Sequence, residues 1–328
     1  MIPAFAIKAD GTDVTSRLQE RLIKLRLTDK PGMEADQLEV VFSDHDGALA
    51  LPRIGATLKV SVGWRGSPLT EKGAYKVDEV VHSGAPDTIT VRARSAAFSG
   101  SLKEQREQSY TDHTLGDILK IIAERQKLIP SVEAGLASIS VPHIDQTNES
   151  DANFLTRLGQ DYDAIATIKD GRLLFIPVGH PLTVGGRLLT TARIDRGDGD
   201  GHRYTQANRD GSVTGVKAKW RDLEESRTRH ALAGDERHDG SVKTLKRDFP
   251  TEAEALAAAR AELNRLNRAR REIRLSLAIG RPNIIANRSL SLSGFRLEID
   301  SLSWLAKDVT HNIADGGFTT EVTAQVLP

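Results

Sequence analysis

Gly55-Ala56-Thr57-Leu58-Lys59-Val60-Ser61-Val62-Gly63-Trp64 is the stretch on which the fold turns. Apolar side chains fall at every second position, the period of a strand with one buried face, and the run closes on a Gly-aromatic pair. Tyr75 follows, then Val77 to Val81 with Asp78 inside, a turn at Gly84 to Asp87, and a new alternation at Ile89, Val91 and Ala93. The same order of elements returns near the other end of the chain. Asn287, Leu290 and Leu292 lead to Gly294-Phe295, then Leu297, Ile299 to Leu302 with Asp300 inside, Trp304, a turn at Asp315 to Gly317, and Phe318, Thr320, Val322 and Ala324. Identity between the copies is low, but the order is shared and the residues between do not repeat it. Two similar β modules in one chain predict a scaffold.

The chain has 328 residues, more than one hydrophobic core normally spans, so two to three domains are expected. Lys plus Arg and Asp plus Glu both total 45, giving zero formal charge. A neutral chain has no long-range field to recruit nucleic acid or an anionic membrane, which disfavours a dedicated DNA-binding protein. There is no cysteine, which removes disulfides, thiol nucleophiles and thiolate metal sites together. The apolar run at Phe5-Ala6-Ile7 lacks a basic start and is cut by Lys8 and Asp10, so it does not read as a signal peptide. No apolar stretch approaches the roughly 20 residues a membrane helix needs. A soluble product made in a cytoplasm is expected.

Residues 1–104 read as a first β-barrel domain, with alternation at Leu22-Ile23-Lys24-Leu25-Arg26-Leu27 and Leu38-Glu39-Val40-Val41-Phe42. Asp29 to Gly32 and Asp44 to Gly47 supply turn chemistry between strands. Residues 105–206 read as an α+β domain. One helix carries Leu115, Ile118, Leu119, Ile122 and Ala123 on a stripe, with a Thr114/Asp117 capping box at its start and Pro130 beyond its end. A second starts at Ser150 as N-cap, with Asp151 favouring the positive helix end and Phe154, Leu155 and Leu158 facing inward. Ala164 to Ile168 and Leu173 to Pro177 form a hairpin through Lys169-Asp170-Gly171-Arg172. Residues 207–328 read as a second β-barrel domain, with a strand at Val213 to Trp220 and an inserted long helix at about 251–270. That helix is capped by Thr251 with Glu254 and has Leu256, Ala259, Leu263 and Leu266 as its stripe. Gly197 to Gly201 and Gly234 to Gly240 read as loops. The expected fold class is mainly β with α+β: two related barrels and an intervening helix-containing region.

No Gly-x-x-x-x-Gly-Lys, Gly-x-Ser-x-Gly or His-Glu-x-x-His signature occurs. Asp44-His45-Asp46 carries ligand types, but it sits in a turn with no second cluster at useful spacing, and a solvated turn is the better reading. Asp195, Asp198 and Asp200 invite calcium. An EF-hand begun at Asp198 puts Arg203 where the glycine belongs and Arg209 where the closing Glu belongs, so the pattern fails. His143 with Asp145, and His230 with His238, are isolated, and all nine histidines read as structural or exposed. Arg260, Arg265, Arg268, Arg270 and Arg271 crowd the end of the long helix, with Glu252 and Glu254 at its start. Acids first and bases last complement the helix dipole, so this reads as structure before it reads as a nucleic-acid surface. No catalytic, cofactor-binding or metal-ligating residue is assigned, and an enzyme is not expected.

In order along the chain, Thr12-Asp13-Val14-Thr15, Leu22-Ile23 with Leu25 and Leu27-Thr28-Asp29, Ala35-Asp36 with Leu38, Leu51-Pro52 with Gly55-Ala56 and Leu58, and Val77-Asp78-Glu79 resemble the late control gene D proteins of contractile-tailed phages. So do His143-Ile144-Asp145-Gln146-Thr147 with Glu149-Ser150-Asp151 and Phe154-Leu155, Lys169 to Leu173, Gly215-Val216 with Ala218 and Trp220, and Leu292-Ser293-Gly294-Phe295 with Trp304. The resemblance spans nearly the whole chain. It implies a baseplate hub similar to the N-terminal hub part of type VI secretion VgrG spike proteins. On that footing the chain is a homotrimer whose two barrels per copy let a threefold ring meet a sixfold tail tube while holding the central spike. Ending at Pro328 without a β-helical repeat, it implies a spike on a separate polypeptide. The implied partners are further copies of itself, spike and tube, with tape-measure protein and baseplate wedge as additional contacts. Neither nucleic-acid specificity, membrane insertion nor a cofactor is implied. The implied location is a virion tail baseplate, or a tailocin particle, assembled in the host cytoplasm. The alternative from another class is a soluble β-barrel module that binds or processes carbohydrate, which a cleft with two facing carboxylates would favour.

Overall fold

The computed structural model describes residues 1–96, 100–169, 171–179, 189–207, 213–222, 227–235 and 241–327. Two compact units interleave along the sequence. The first comprises Met1–Ser99, Thr190–Arg203 and Ile273–Ala324, and the second Gly100–Leu189, Tyr204–Glu272 and Gln325–Pro328. Boundaries expected at 104 and 206 would have kept residues 207–328 together. By contacts that span divides, with residues 204–272 joining the α+β region and 273–324 joining the start of the chain.

The first unit is built on a 13-stranded sheet. Thr57–Trp64, Thr70–Ser83 and Thr88–Ser95 form an antiparallel meander, and Pro3–Ala9 pairs along the outer side of the first of them. Leu58, Val60, Val62, Tyr75, Val77, Ile89, Val91 and Ala93 are all buried, as a period of two with one covered face requires. The second copy is also a meander, of Ser289–Ser293, Ser303–Ala314 and Gly317–Val326. Its closing strand buries Phe318, Thr320, Val322 and Ala324 in turn.

One expected strand is a helical turn instead: Ile299-Asp300 lies in Leu297–Asp300. Gly294, at φ +80°, turns the chain, and both Asp300 carboxylate oxygens accept from the Phe295 N–H at 3.1 Å. Trp304 Nε1 then donates to the Ile299 carbonyl at 3.1 Å, so these local hydrogen bonds override the alternation.

Two early strands, Leu22–Asp29 and Gln37–Ser43, link the meanders. Strand Leu22–Asp29 pairs with Gln37–Ser43 on one side and with Ser303–Ala314 on the other, setting Leu25 opposite Ile313 and Leu27 opposite His311. Without the late strand, the edge at 22–29 would stand open, a template for unwanted pairing. Lys30 Nζ meets Asp308 at 2.8 Å across the same seam. Ile313 and Phe318 enter the core formed by Leu25, Leu27, Val40, Val60 and Val91.

The second unit is α+β. Helix Leu115–Arg125 starts at a reciprocal Thr114/Asp117 capping box and buries the five residues of its stripe. Helix Asp151–Asp161 has Ser150 as N-cap. Gln105–Thr114 and Ser140–Ser150 form a two-stranded ribbon. Ala164–Lys169 and Arg172–Pro177 pair antiparallel, with Ile129–Val132 parallel to the latter; Asp170 of their expected turn lies outside the described residues. A three-stranded sheet, Arg227–Gly234, Val213–Asp222 and Ser241–Phe249, packs against helix Glu252–Ala269. That helix buries Ala255, Ala258, Ala259, Ala261 and Leu266, while Leu256 and Leu263 are only partly covered. Small residues bring the helix close, and the leucines flank the contact. Among the described residues no helix is long and apolar enough to cross a membrane.

Candidate functional site

Helix Asp151–Asp161 is fixed at its start by a buried carboxylate. Asp151, expected only to favour the helix dipole, is fully buried and accepts from Arg125 Nη1 at 2.9 Å, Gln126 Nε2 at 2.7 Å and Gln146 Nε2 at 2.8 Å. Tyr110 stacks on Phe154 at 5.7 Å beside it. One carboxylate thus ties both short helices to the ribbon, satisfied on each side as a buried charge must be.

The other end of that helix enters a cleft of about 270 Å³, walled by the ribbon strand Ser140–Ser150, the strand Ser241–Phe249 and the first turn of helix Glu252–Ala269. Asp161 accepts from Arg247 at 2.7 Å, and the same guanidinium lies 4.5 Å over the Phe249 ring. Arg157 stacks on Phe154 at 4.8 Å, pairs with Glu149 at 2.7 Å and donates to the Asp145 carbonyl at 2.7 Å. His143 is held between Thr111 at 3.0 Å and Asp145 at 3.2 Å.

Two carboxyl groups here sit above the usual carboxylate range. Burial raises Asp161, with Arg247 opposing; burial also raises Glu254, with Arg247 opposing and Asp161 adding repulsion. Burial, then Glu254 and Asp161, pushes Tyr162 up to about 12. Perturbed groups converging in a cleft are what binding and catalytic sites have in common. Such a place can accept hydrogen bonds from a donor ligand or hold a proton.

The clusters weighed in the sequence are occupied by structure. Asp46 is gripped by both terminal nitrogens of Arg21 at 2.6 and 2.5 Å, which hold its carboxyl well below the ordinary range. Asp44 accepts from the Leu49 N–H at 3.0 Å. Asp195 accepts from the Gly197 N–H at 2.9 Å and the Ser293 hydroxyl at 3.1 Å, and Asp198 takes the Asp195 N–H and the Arg281 guanidinium. This pair of caps makes a single helical turn at Arg196–Asp198, and a strand begins at Gly199, so Gly197 to Gly201 is not a loop. Among the described residues no group of three His, Asp or Glu could hold a metal. His230 is exposed on an edge strand, and His238, with most of the loop expected at Gly234 to Gly240, lies outside the described residues.

The helix arginines are similarly engaged: Arg265 with Glu262, Arg268 with Asp163, and Arg270 with the Val213 carbonyl. Arg268 is itself buried. The basic stripe is in large part internal wiring. Sequence reading missed Asp161, Tyr162 and Arg247, and gave Glu254 to a capping box. Thr251 does accept from the Glu254 N–H at 3.3 Å, but the Glu254 side chain is not bonded back. Only the fold brings residues of the Ser150-capped helix to the start of the long one.

The model of the family described as Phage tail baseplate hub (GPD) matches residues 35–317, and the chain belongs to that family. It is 38% identical to the probable baseplate hub protein of Escherichia phage 186, over 99% of this chain and 93% of that one. The corresponding protein of Escherichia phage P2 is also 38% identical, over 99% and 94%. In fold it is similar to the 43 kDa tail protein of prophage MuSo2 from Shewanella oneidensis, with a TM-score of 0.72 at 14% identity, covering 98% of each chain. It is likewise similar to an Escherichia coli component of the type VI secretion system, with a TM-score of 0.56 at 12% identity, covering 94% of this chain and 74% of the other.

Proposed function

We propose that this hub protein acts as a non-catalytic symmetry adaptor: three copies form a ring that caps the tail tube and holds the central spike. Each copy offers two related β meanders, so three copies offer six, matching a sixfold tube above while the ring itself stays threefold. Family membership across most of the chain, together with coverage of nearly the whole length of two phage hub relatives, carries the reading. The seam between strands Leu22–Asp29 and Ser303–Ala314 supports it, because backbone pairing fixes one meander against the other. Spike, tube and further copies of this chain are the proposed partners, with tape-measure protein and wedge as secondary contacts, in a baseplate assembled in the host cytoplasm. Large obligate interfaces of this kind bury on the order of 2,000 Å² or more. Sedimentation velocity of the chain, alone and with its spike, tests the proposal. A trimer is expected, and a monomer at micromolar concentration that stays monomeric with spike present would refute it.

One observation favours the carbohydrate reading: Asp161 and Glu254 line one cleft and both are raised. One feature weighs against it: Asp161 is already paired with Arg247. Calorimetric titration with chito-oligosaccharide and cell-wall fragments decides between them, and saturable heat would favour that alternative.

A further inference from the structure

Glu254 breaks a local rule. A Glu at the third position of a helix ordinarily reaches back to the N-cap N–H. Here the Thr251 hydroxyl supplies its half of the box, while the Glu254 carboxylate turns into the cleft beside Asp161 and Tyr162. Its Oε1 is shielded from solvent and has no hydrogen-bond partner among the described residues. A buried acceptor left unmade is costly, and native chains seldom keep one without a use for it.

The rest of the lining says what would complete it. Four acidic residues, Asp145, Asp161, Asp248 and Glu254, line the cleft together with two basic ones, Arg157 and Arg247. Both guanidiniums are committed, Arg157 to Glu149 and Arg247 to Asp161. The surplus is negative, and the missing element at Oε1 is a donor. Tyr162 is an aromatic neighbour at the end of helix Asp151–Asp161. A cleft of about 270 Å³ has room for a single long side chain.

We propose that this cleft is a socket for one cationic side chain, arginine or lysine, presented by a partner protein in the assembled tail, with Glu254 Oε1 as the acceptor. The assignment of the occupant to a tail partner rests on the hub reading, whereas the chemistry of the socket does not. In this arrangement the carboxylate that leaves its own helix cap is held ready for an intermolecular ion pair, and Arg247 keeps Asp161 from competing for the guest. Removing one member of a desolvated charge pair chiefly speeds dissociation, so the effect of a variant should appear in affinity.

The test uses the full chain and the capped tripeptide acetyl-Gly-Arg-Gly-amide, read by NMR shifts of the Tyr162 and Phe249 rings, with acetyl-Gly-Gln-Gly-amide as the neutral control. The arginine peptide is expected to bind saturably, the glutamine peptide not at all, and Glu254→Gln to weaken binding at least about tenfold. Glu254→Asp should recover part of it. Asp248→Asn, on the strand rather than the helix, supplies a second reading if Glu254→Gln disturbs the fold, and should weaken binding severalfold. Equal binding of both peptides, or no change in either variant, overturns the proposal. A chain that forms its ring but does not bind the arginine peptide defeats the socket and spares the hub; a chain that binds it yet stays monomeric with spike defeats the hub and spares the socket.

Discussion

His311 gives the sharpest test of the seam. It lies on the late strand directly opposite Leu27, about 1% exposed, with Nδ1 2.9 Å from the Thr320 hydroxyl and Nε2 3.1 Å from the Ile284 carbonyl and 2.8 Å from Lys72 Nζ. Burial first, then the Lys72 ammonium, pushes its pKa down to about 3, with Asp29 and the Ile284 carbonyl opposing. In the unfolded chain the same ring titrates near 6.5. Below that value the unfolded chain takes up a proton that the native seam refuses, so stability is full above 6.5 and falls with pH until about 3. Each unit is worth about 1.4 kcal/mol, so going from about pH 7 to about pH 5 removes roughly 2 kcal/mol through this one ring. In the first unit the carboxyls held below their ordinary range, such as Glu39, Asp46 and Asp195, lose their contribution only nearer pH 4 and lower, which leaves the upper window there to histidine. Urea unfolding followed by tryptophan fluorescence in a Trp220→Phe background reports on Trp64 and Trp304, both in the first unit. Wild type should lose roughly 2 kcal/mol across that window. His311→Gln should be less stable at neutral pH yet nearly flat across it, whereas Lys72→Met, which leaves the larger effect of burial in place, should keep close to the wild-type slope. A His311→Gln slope equal to that of wild type would refute the reasoning.

Other consequences follow from packing. A Cβ added at Gly280 would lie 2.3 Å from the Phe318 ring, where Trp64 Nε1 also donates to the Gly280 carbonyl at 3.0 Å, so Gly280→Ala should cost about 1–3 kcal/mol by overpacking; the shift of the urea midpoint checks it. Asp151→Ala removes the acceptor shared by Arg125, Gln126 and Gln146 and should cost about 3–5 kcal/mol, with amide exchange accelerated in both short helices. Thr114→Ala opens the reciprocal capping box and should cost about 1 kcal/mol, seen as faster exchange confined to the first turn of Leu115–Arg125.

What could be read in advance follows from where the stabilisation is local. Leu58, Val60 and Val62 declare a strand because only one face is buried, and Thr114 and Ser150 declare helix starts because their hydroxyls bond within three residues. Gln105–Thr114 gave no such signal: Tyr110 is its single buried residue, and the strand exists because Ser140–Ser150 pairs with it. Arg227–Gly234 and Ser241–Phe249 were silent for the same reason, as mostly exposed edges of a sheet whose buried residues lie largely on the central strand and the helix. The cleft was illegible because its groups come from separate segments: His143 and Asp145 read as an isolated pair, and Glu254 fitted a cap that its side chain does not complete. Local chemistry is written in spacing; long-range convergence is not.

The seam also changes what the repeated pattern means. Two domains on a linker would leave their mutual angle to whatever they bind. In this chain, strand Leu22–Asp29 is hydrogen-bonded on both sides, to Gln37–Ser43 and to Ser303–Ala314, so the second meander continues the sheet of the first. Thr28 and Thr310 face each other at 3.4 Å, and the Ala286 N–H donates to Asp29 at 3.2 Å, extending the join beyond the backbone. The copies are alike in their closing strands, which bury Ile89, Val91 and Ala93 in one and Phe318, Thr320, Val322 and Ala324 in the other. They differ where the second copy tucks Leu297–Asp300 into a helical turn, leaving Leu297 79% exposed on one copy only. A ring of such chains would present six similar surfaces with an alternating distinction between them. An alternation of that kind is what a protein needs if the same modules must satisfy a sixfold neighbour while its own symmetry remains threefold.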